Sequence, residues 1–257
     1  MNINEVYEKL CHEGITKSGE QVKVSSGLFK EDDLLLVSPG ATELYFKVDK
    51  QGLFEILDII LPQISNLSHD NGYSYMINLF TIVNNEIDNY FGHHNQAERE
   101  KHYLLNGVAL EEDVRVCSMS QIKGAGIAMC AEKASLSNNI FLILHELGLF
   151  EYKVNYLNCI LALEGDAPGG HAFLEFDRVT PNGTKHLIYD VTIPEKILID
   201  GDYHNYAAIY SLNDEEYESF LEGGSFDNSK FILADKYQLK EKREYKGFSK
   251  EEDKKLQ

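Results

Sequence analysis

Residues 169–193 read Gly169-Gly170-His171-Ala172-Phe173-Leu174-Glu175-Phe176-Asp177-Arg178-Val179-Thr180-Pro181-Asn182-Gly183-Thr184-Lys185-His186-Leu187-Ile188-Tyr189-Asp190-Val191-Thr192-Ile193. Ala172, Leu174 and Phe176 fall on one face of an extended chain, and His171, Phe173 and Glu175 on the other. Thr180 to Gly183 has Pro second and Gly fourth, the residues of a four-residue turn, so the stretch predicts a hairpin. Cross-strand partners in a hairpin have position numbers with a constant sum, and this turn sets 171 opposite 192. Asp190 then lies diagonally from His171 on the same face, with side-chain bases ~7–8 Å apart and within reach of a hydrogen bond. A two-residue Asn182-Gly183 turn would instead separate the pair by four residues and remove the contact. Asp190 stands in a strand otherwise made of residues that favour burial, and a carboxylate there needs a partner.

Upstream, Val154 to Leu163 reads as another strand, and with His171 to Val179 and Lys185 to Ile193 it makes a meander. Before it an apolar helix runs from about Cys130 to Leu147 and stops at Gly148, preceded by the glycine-broken loop Lys123 to Gly126. Cys130 thus falls in a first helical turn, where unpaired N–H groups and the positive end of the helix dipole favour a thiolate. Tyr73 to Phe91 carries one apolar helical face, and Leu53 to about Pro62 a shorter one. Ile3, Val6, Tyr7 and Leu10 mark a first helix ending near Gly14. Gln21 to Val24, Asp33 to Val37 and Glu43 to Val48 read as strands of a small antiparallel sheet. His93 to Lys101 reads as a polar loop or frayed helix. Asn213 to Leu221 reads as an acidic helix.

The fold class is α+β: an N-terminal region over 1–70 as a small α/β extension, a core over 71–235, and a charged, flexible tail over 236–257. No internal repeat is visible.

The 257 residues carry a net charge of 24 − 42 = −18, which repels a phosphate backbone and argues against a nucleic-acid partner. No apolar run reaches the ~20 residues of a membrane helix. Met1-Asn2-Ile3-Asn4-Glu5 lacks a basic start and apolar stretch, so a cytoplasmic location and no membrane partner are expected. Cys11, Cys117, Cys130 and Cys159 are irregularly spaced, without a C-x-x-C pair, and read as individual thiols. His93-His94 with His102 has no acidic or Cys residue to complete a metal tetrahedron. Asp200-Gly201-Asp202 lacks the rest of a calcium loop. No metal or cofactor is expected.

Gly126-Ile127-Ala128-Met129-Cys130-Ala131-Glu132-Lys133-Ala134, then Gly169-Gly170-His171-Ala172-Phe173, then Tyr189-Asp190-Val191-Thr192 resemble the core of the transglutaminase-like superfamily, a papain-related scaffold. Its order is Cys on a helix packed on an antiparallel sheet, His opening the next strand and Asp on the strand after. The resemblance covers Tyr73 to Thr192. Ala128 stands where the family often has Gly, and Phe173 near the position of a family Trp.

The resemblance implies a catalytic triad, with Cys130 as nucleophile, His171 as base and Asp190 orienting the imidazole. It implies a thioester formed from an amide of a protein or peptide substrate, followed by hydrolysis, deamidation or amine transfer. Oxyanion donors would be the Cys130 N–H and either Gln121 or an N–H of the 123–126 loop. Cys130-Ala131-Glu132 also resembles the helix start of arylamine N-acetyltransferases, although their preceding Arg-Gly-Gly is absent. The remaining alternative is a non-catalytic transglutaminase-like scaffold that binds a protein. Glu132 reads as a charge stabilising the helix start. The sequence leaves the oligomeric state open.

Overall fold

A computed structural model describes residues 2–13, 24–38, 40–67, 72–92, 96–181 and 183–247. They form a mixed α+β protein whose chain divides into two compact units, residues 1–20 with 26–150 and residues 21–25 with 151–257. The boundary expected near residue 70 lies inside the first unit. Among the described residues no helix is long and apolar enough to cross a membrane.

In the first unit, α1 (Ile3–Glu13), α2 (Lys50–Ser65) and α3 (Gly72–Phe91) pack around α5 (Cys130–Glu146), with α4 (Arg99–Asn106) between α3 and the following strands in the chain. The helices form where apolar residues recur at helical spacing: Leu53, Ile56, Leu57, Ile60 and Ile64 of α2 and Leu79, Phe80, Val83 and Ile87 of α3 are fully buried. Asp49 caps α2, accepting from Gly52 N at 2.8 Å, and also from Ser120 N at 2.8 Å and Ser120 Oγ at 2.7 Å.

Beside the helices lies a four-stranded sheet in the order β2 (Leu35–Ser38), β3 (Glu43–Lys47), β5 (Val114–Ser118), β4 (Val108–Glu111). The antiparallel pairing expected in the N-terminal region holds for β2 and β3, but β3 also pairs with β5 in parallel, because three helices separate those two strands and let the chain cross over before pairing. Of the strand expected at Gln21 to Val24, only Val24 is among the described residues, where it opens β1 (Val24–Ser26), which pairs with β6 (Lys153–Leu163) of the second unit, the unit that holds residues 21–25.

The second unit is built on an antiparallel sheet in the order β10 (Ser225–Asp227), β11 (Arg243–Lys246), β6 (Lys153–Leu163), β7 (Gly169–Thr180), β8 (Gly183–Ile199), β9 (Asp202–Leu212). Helix α6 (Asp214–Leu221) covers the face that carries Phe173, its Phe220 ring 6.0 Å from that of Phe173 and 5.2 Å from that of Phe226. Residues of both faces are buried, as Phe173 and Leu174 show.

The tail expected from residue 236 onward is corrected as far as 247. Arg243 and Tyr245 of β11 are buried, and the strand sits inside the sheet with Tyr245 opposite Leu161 and Phe226. The segment looks solvated because its alternate residues Glu244 and Lys246 are exposed, and charged residues on one face of a strand mask burial on the other. The rest of the expected tail, 248–257, lies outside the described residues.

Candidate functional site

In the second unit, the β7–β8 ladder pairs Thr180 with Gly183 and continues to Leu174 opposite Tyr189, a constant sum of 363. That is the register of the four-residue turn, which Thr180 tightens by donating its hydroxyl to Gly183 O at 2.6 Å. The same register puts His171 and Asp190 on one face, and they meet: His171 Nε2 lies 2.8 Å from Asp190 Oδ2. Both side chains are buried.

Asp190 is surrounded by donors. Its Oδ1 accepts from Thr192 N at 2.9 Å and Ile193 N at 3.2 Å, and its Oδ2 also accepts from the Tyr245 hydroxyl at 2.7 Å. Burial alone would raise its pKa. The His171 imidazole, with Arg243 and Tyr245 behind it, more than offsets that and holds the carboxyl at about 2. Asp190 is thus a fixed anion that determines which edge of the His171 ring faces it.

Behind Asp190 runs a buried polar chain. Tyr210 donates its hydroxyl to Glu195 Oε1 at 2.6 Å and accepts from Arg243 Nη1 at 3.0 Å, while Arg243 also donates to Ile193 O at 2.9 Å. Arg243 and Glu195 lie 3.3 Å apart.

In the first unit, Cys130 is the first residue of α5 and is half-buried. Its N–H and that of Ala131 belong to the turn without intrahelical partners. The preceding loop is fastened by backbone bonds: Gly124 N to Tyr90 O at 2.8 Å, Ala125 N to Ile122 O at 3.1 Å and Gly126 N to Phe91 O at 2.7 Å. Gly124 also needs its neighbour to be glycine. A Cβ on Gly92, whose φ is +83°, would stand 2.8 Å from Gly124 O.

Those bonds occupy three of the four loop amides expected as oxyanion donors. The loop amides of Gly124, Ala125 and Gly126 already donate to carbonyls. Gln121 directs its Nε2 to Asn106 O at 2.8 Å and accepts from Ser118 N on Oε1 at 2.8 Å. Its amide closes a local turn, a use that a polar loop residue does not reveal before the turn is seen.

Beneath the start of α5 lies a buried ion pair of which the sequence singled out only Glu132, as a charge stabilising the helix start. Glu132 is fully buried. It accepts from Met129 N at 3.1 Å and from the Tyr103 hydroxyl at 3.0 Å, and its Oε1 is 2.5 Å from Arg99 Nη1. Arg99 also donates to Ile127 O at 2.7 Å. Burial works against the Arg99 charge, but Glu132 outweighs it and raises its pKa. The Cys-x-Glu spacing was a signal for Glu132; nothing in the sequence singled out Arg99, which lies in the segment expected to be a polar loop or frayed helix and opens α4.

The other thiols differ. Cys117 and Cys159 are buried, and burial, followed by Glu132, pushes Cys117 up to about 11. Burial also raises Cys11. No protein-family model, curated protein or solved structure matches this chain, and the chemistry of the site is read from its own residues.

Proposed function

We propose that the chain is a thiol-dependent acyl-transfer enzyme with a transglutaminase-like core, acting on amide bonds of a protein or peptide through Cys130, His171 and Asp190. The observation that carries this reading is the buried His171–Asp190 hydrogen bond of 2.8 Å, in which a fixed anion orients an imidazole as a general base requires. It is supported by a half-buried thiol in the first turn of α5, and by the chain order of Cys helix followed by consecutive antiparallel strands bearing His and Asp.

In this mechanism His171 takes the Cys130 proton and the thiolate forms a C–S bond with the amide carbonyl. The C–N bond breaks, and the departing amine or ammonia takes the proton from the imidazolium. Water or a second amine then attacks the thioester, its proton passing to His171, and the thiolate is restored. Helix-start N–H groups at Cys130 are the donors suited to the oxyanion.

Iodoacetamide labelling, read by mass spectrometry across pH 5 to 9, tests the reading. Cys130 should label first among the four thiols near neutral pH. His171→Ala should slow it at least about tenfold near neutral pH. A Cys130 rate that follows an ordinary thiol and ignores His171→Ala would leave the non-catalytic scaffold in its place. Peptides containing glutamine, with and without a tagged amine, then separate cleavage, ammonia release and amine incorporation.

A further inference from the structure

We infer that Tyr245, on the C-terminal strand β11, is a positioning residue for the His171–Asp190 pair, so that the pair is held for chemistry only when β11 is docked in the sheet. The catalytic consequence rests on the proposed function, but the effect on the pair does not.

The geometry is specific. His171 Nε2 and the Tyr245 hydroxyl converge on one oxygen, Asp190 Oδ2, at 2.8 and 2.7 Å. A phenol has one proton to give. Its other neighbour, the Tyr210 oxygen, is farther away at 3.3 Å; Tyr210 gives its own proton to Glu195 and accepts from Arg243. Asp190 is therefore the acceptor that the Tyr245 hydroxyl serves, and a shared, charge-assisted bond of this kind holds the carboxylate in place.

The ring is held as firmly as its hydroxyl. Tyr245 is fully buried, stacked on Phe226 at 5.0 Å and 12°, with the His171 ring 6.1 Å away. The charged and titratable groups acting on Asp190 come from three strands, His171 of β7, Tyr210 of β9, and Arg243 and Tyr245 of β11, with Glu195 of β8 bonded to Tyr210 beyond them. Of these, Tyr245 and Arg243 arrive only when the last strand is in place. A donor lost from Oδ2 leaves that oxygen to His171 alone, which favours the imidazolium.

The test follows the His171 ring C–H resonances through a pH titration of the full chain, with Tyr245→Phe and, as a packing control, Phe226→Leu. Tyr245→Phe should move the His171 midpoint upward by about half a pH unit. Phe226→Leu should lower the melting temperature and leave the midpoint in place. An unmoved midpoint in Tyr245→Phe, or an equal shift in both variants, overturns the inference and makes the hydroxyl a packing feature. A shifted midpoint with an inert Cys130 upholds the positioning of the pair while removing the proposed acyl transfer.

Discussion

Arg99 and Glu132 form a buried ion pair, Nη1 to Oε1 at 2.5 Å, two residues beyond Cys130 on α5. The pair, with Met129 N and Ile127 O bonded to its two ends, fastens the chain on which the thiol stands. A charge buried in this way is costly to leave alone.

Glu132→Gln should therefore destabilise the protein by about 3 kcal/mol, because Arg99 keeps its charge without a counter-ion. Adding Arg99→Met should recover much of that loss, since the unpaired charge goes with it. Urea unfolding of the single and double variants measures both. A single-variant loss under about 1 kcal/mol would mean that the pair behaves like an exposed one.

Asp190 predicts an acid limb in stability. Its carboxyl falls from the ordinary 3.8 to about 2 in the folded protein, so it contributes stability that is present above pH 4 and lost as pH drops through 2. The difference corresponds to about 2 kcal/mol. Asp190→Asn should be less stable at pH 7 and should show a shallower loss between pH 4 and 2 in denaturant titrations. An unchanged acid limb would show that the pair contributes nothing to it.

His186 predicts the opposite limb. Its Nδ1 lies 2.7 Å from Glu175 Oε1 and its Nε2 lies 3.2 Å from Asp214 Oδ1, and it stacks on Tyr217 of α6 at 4.1 Å. Burial opposes its charge, but the two carboxylates outweigh burial and raise its pKa. Its stabilising effect is thus full below the unfolded value of about 6.5 and fades as pH rises through the higher folded value. The wild type should melt lower at pH 9 than at pH 6, and His186→Gln should narrow that difference. Equal differences in the two proteins would show that His186 contributes nothing to that limb.

Ending the chain at Lys236 should lower the melting temperature by about 10 °C or more, or prevent folding of the second unit. The cut removes β11 with the buried Arg243 and Tyr245 and exposes the edge of β6 that pairs with it. Circular dichroism on heating checks it. A melt within a degree or two of the full chain would show that the strand is dispensable.

What the sequence determined by itself was local. The turn Thr180 to Gly183 dictated the register of β7 on β8, and with it the meeting of His171 and Asp190, since a hairpin's pairing depends on a few neighbouring residues. The glycine-broken loop and the run after it likewise placed Cys130 at a helix start. What only the tertiary structure decided was distant pairing: β3 beside β5, Arg99 against Glu132, and Tyr245 on Asp190, each joining residues whose local pattern does not name the partner. Arg99 and Arg243 read as solvated charges because a sequence records their polarity but not the buried carboxylates that compensate it.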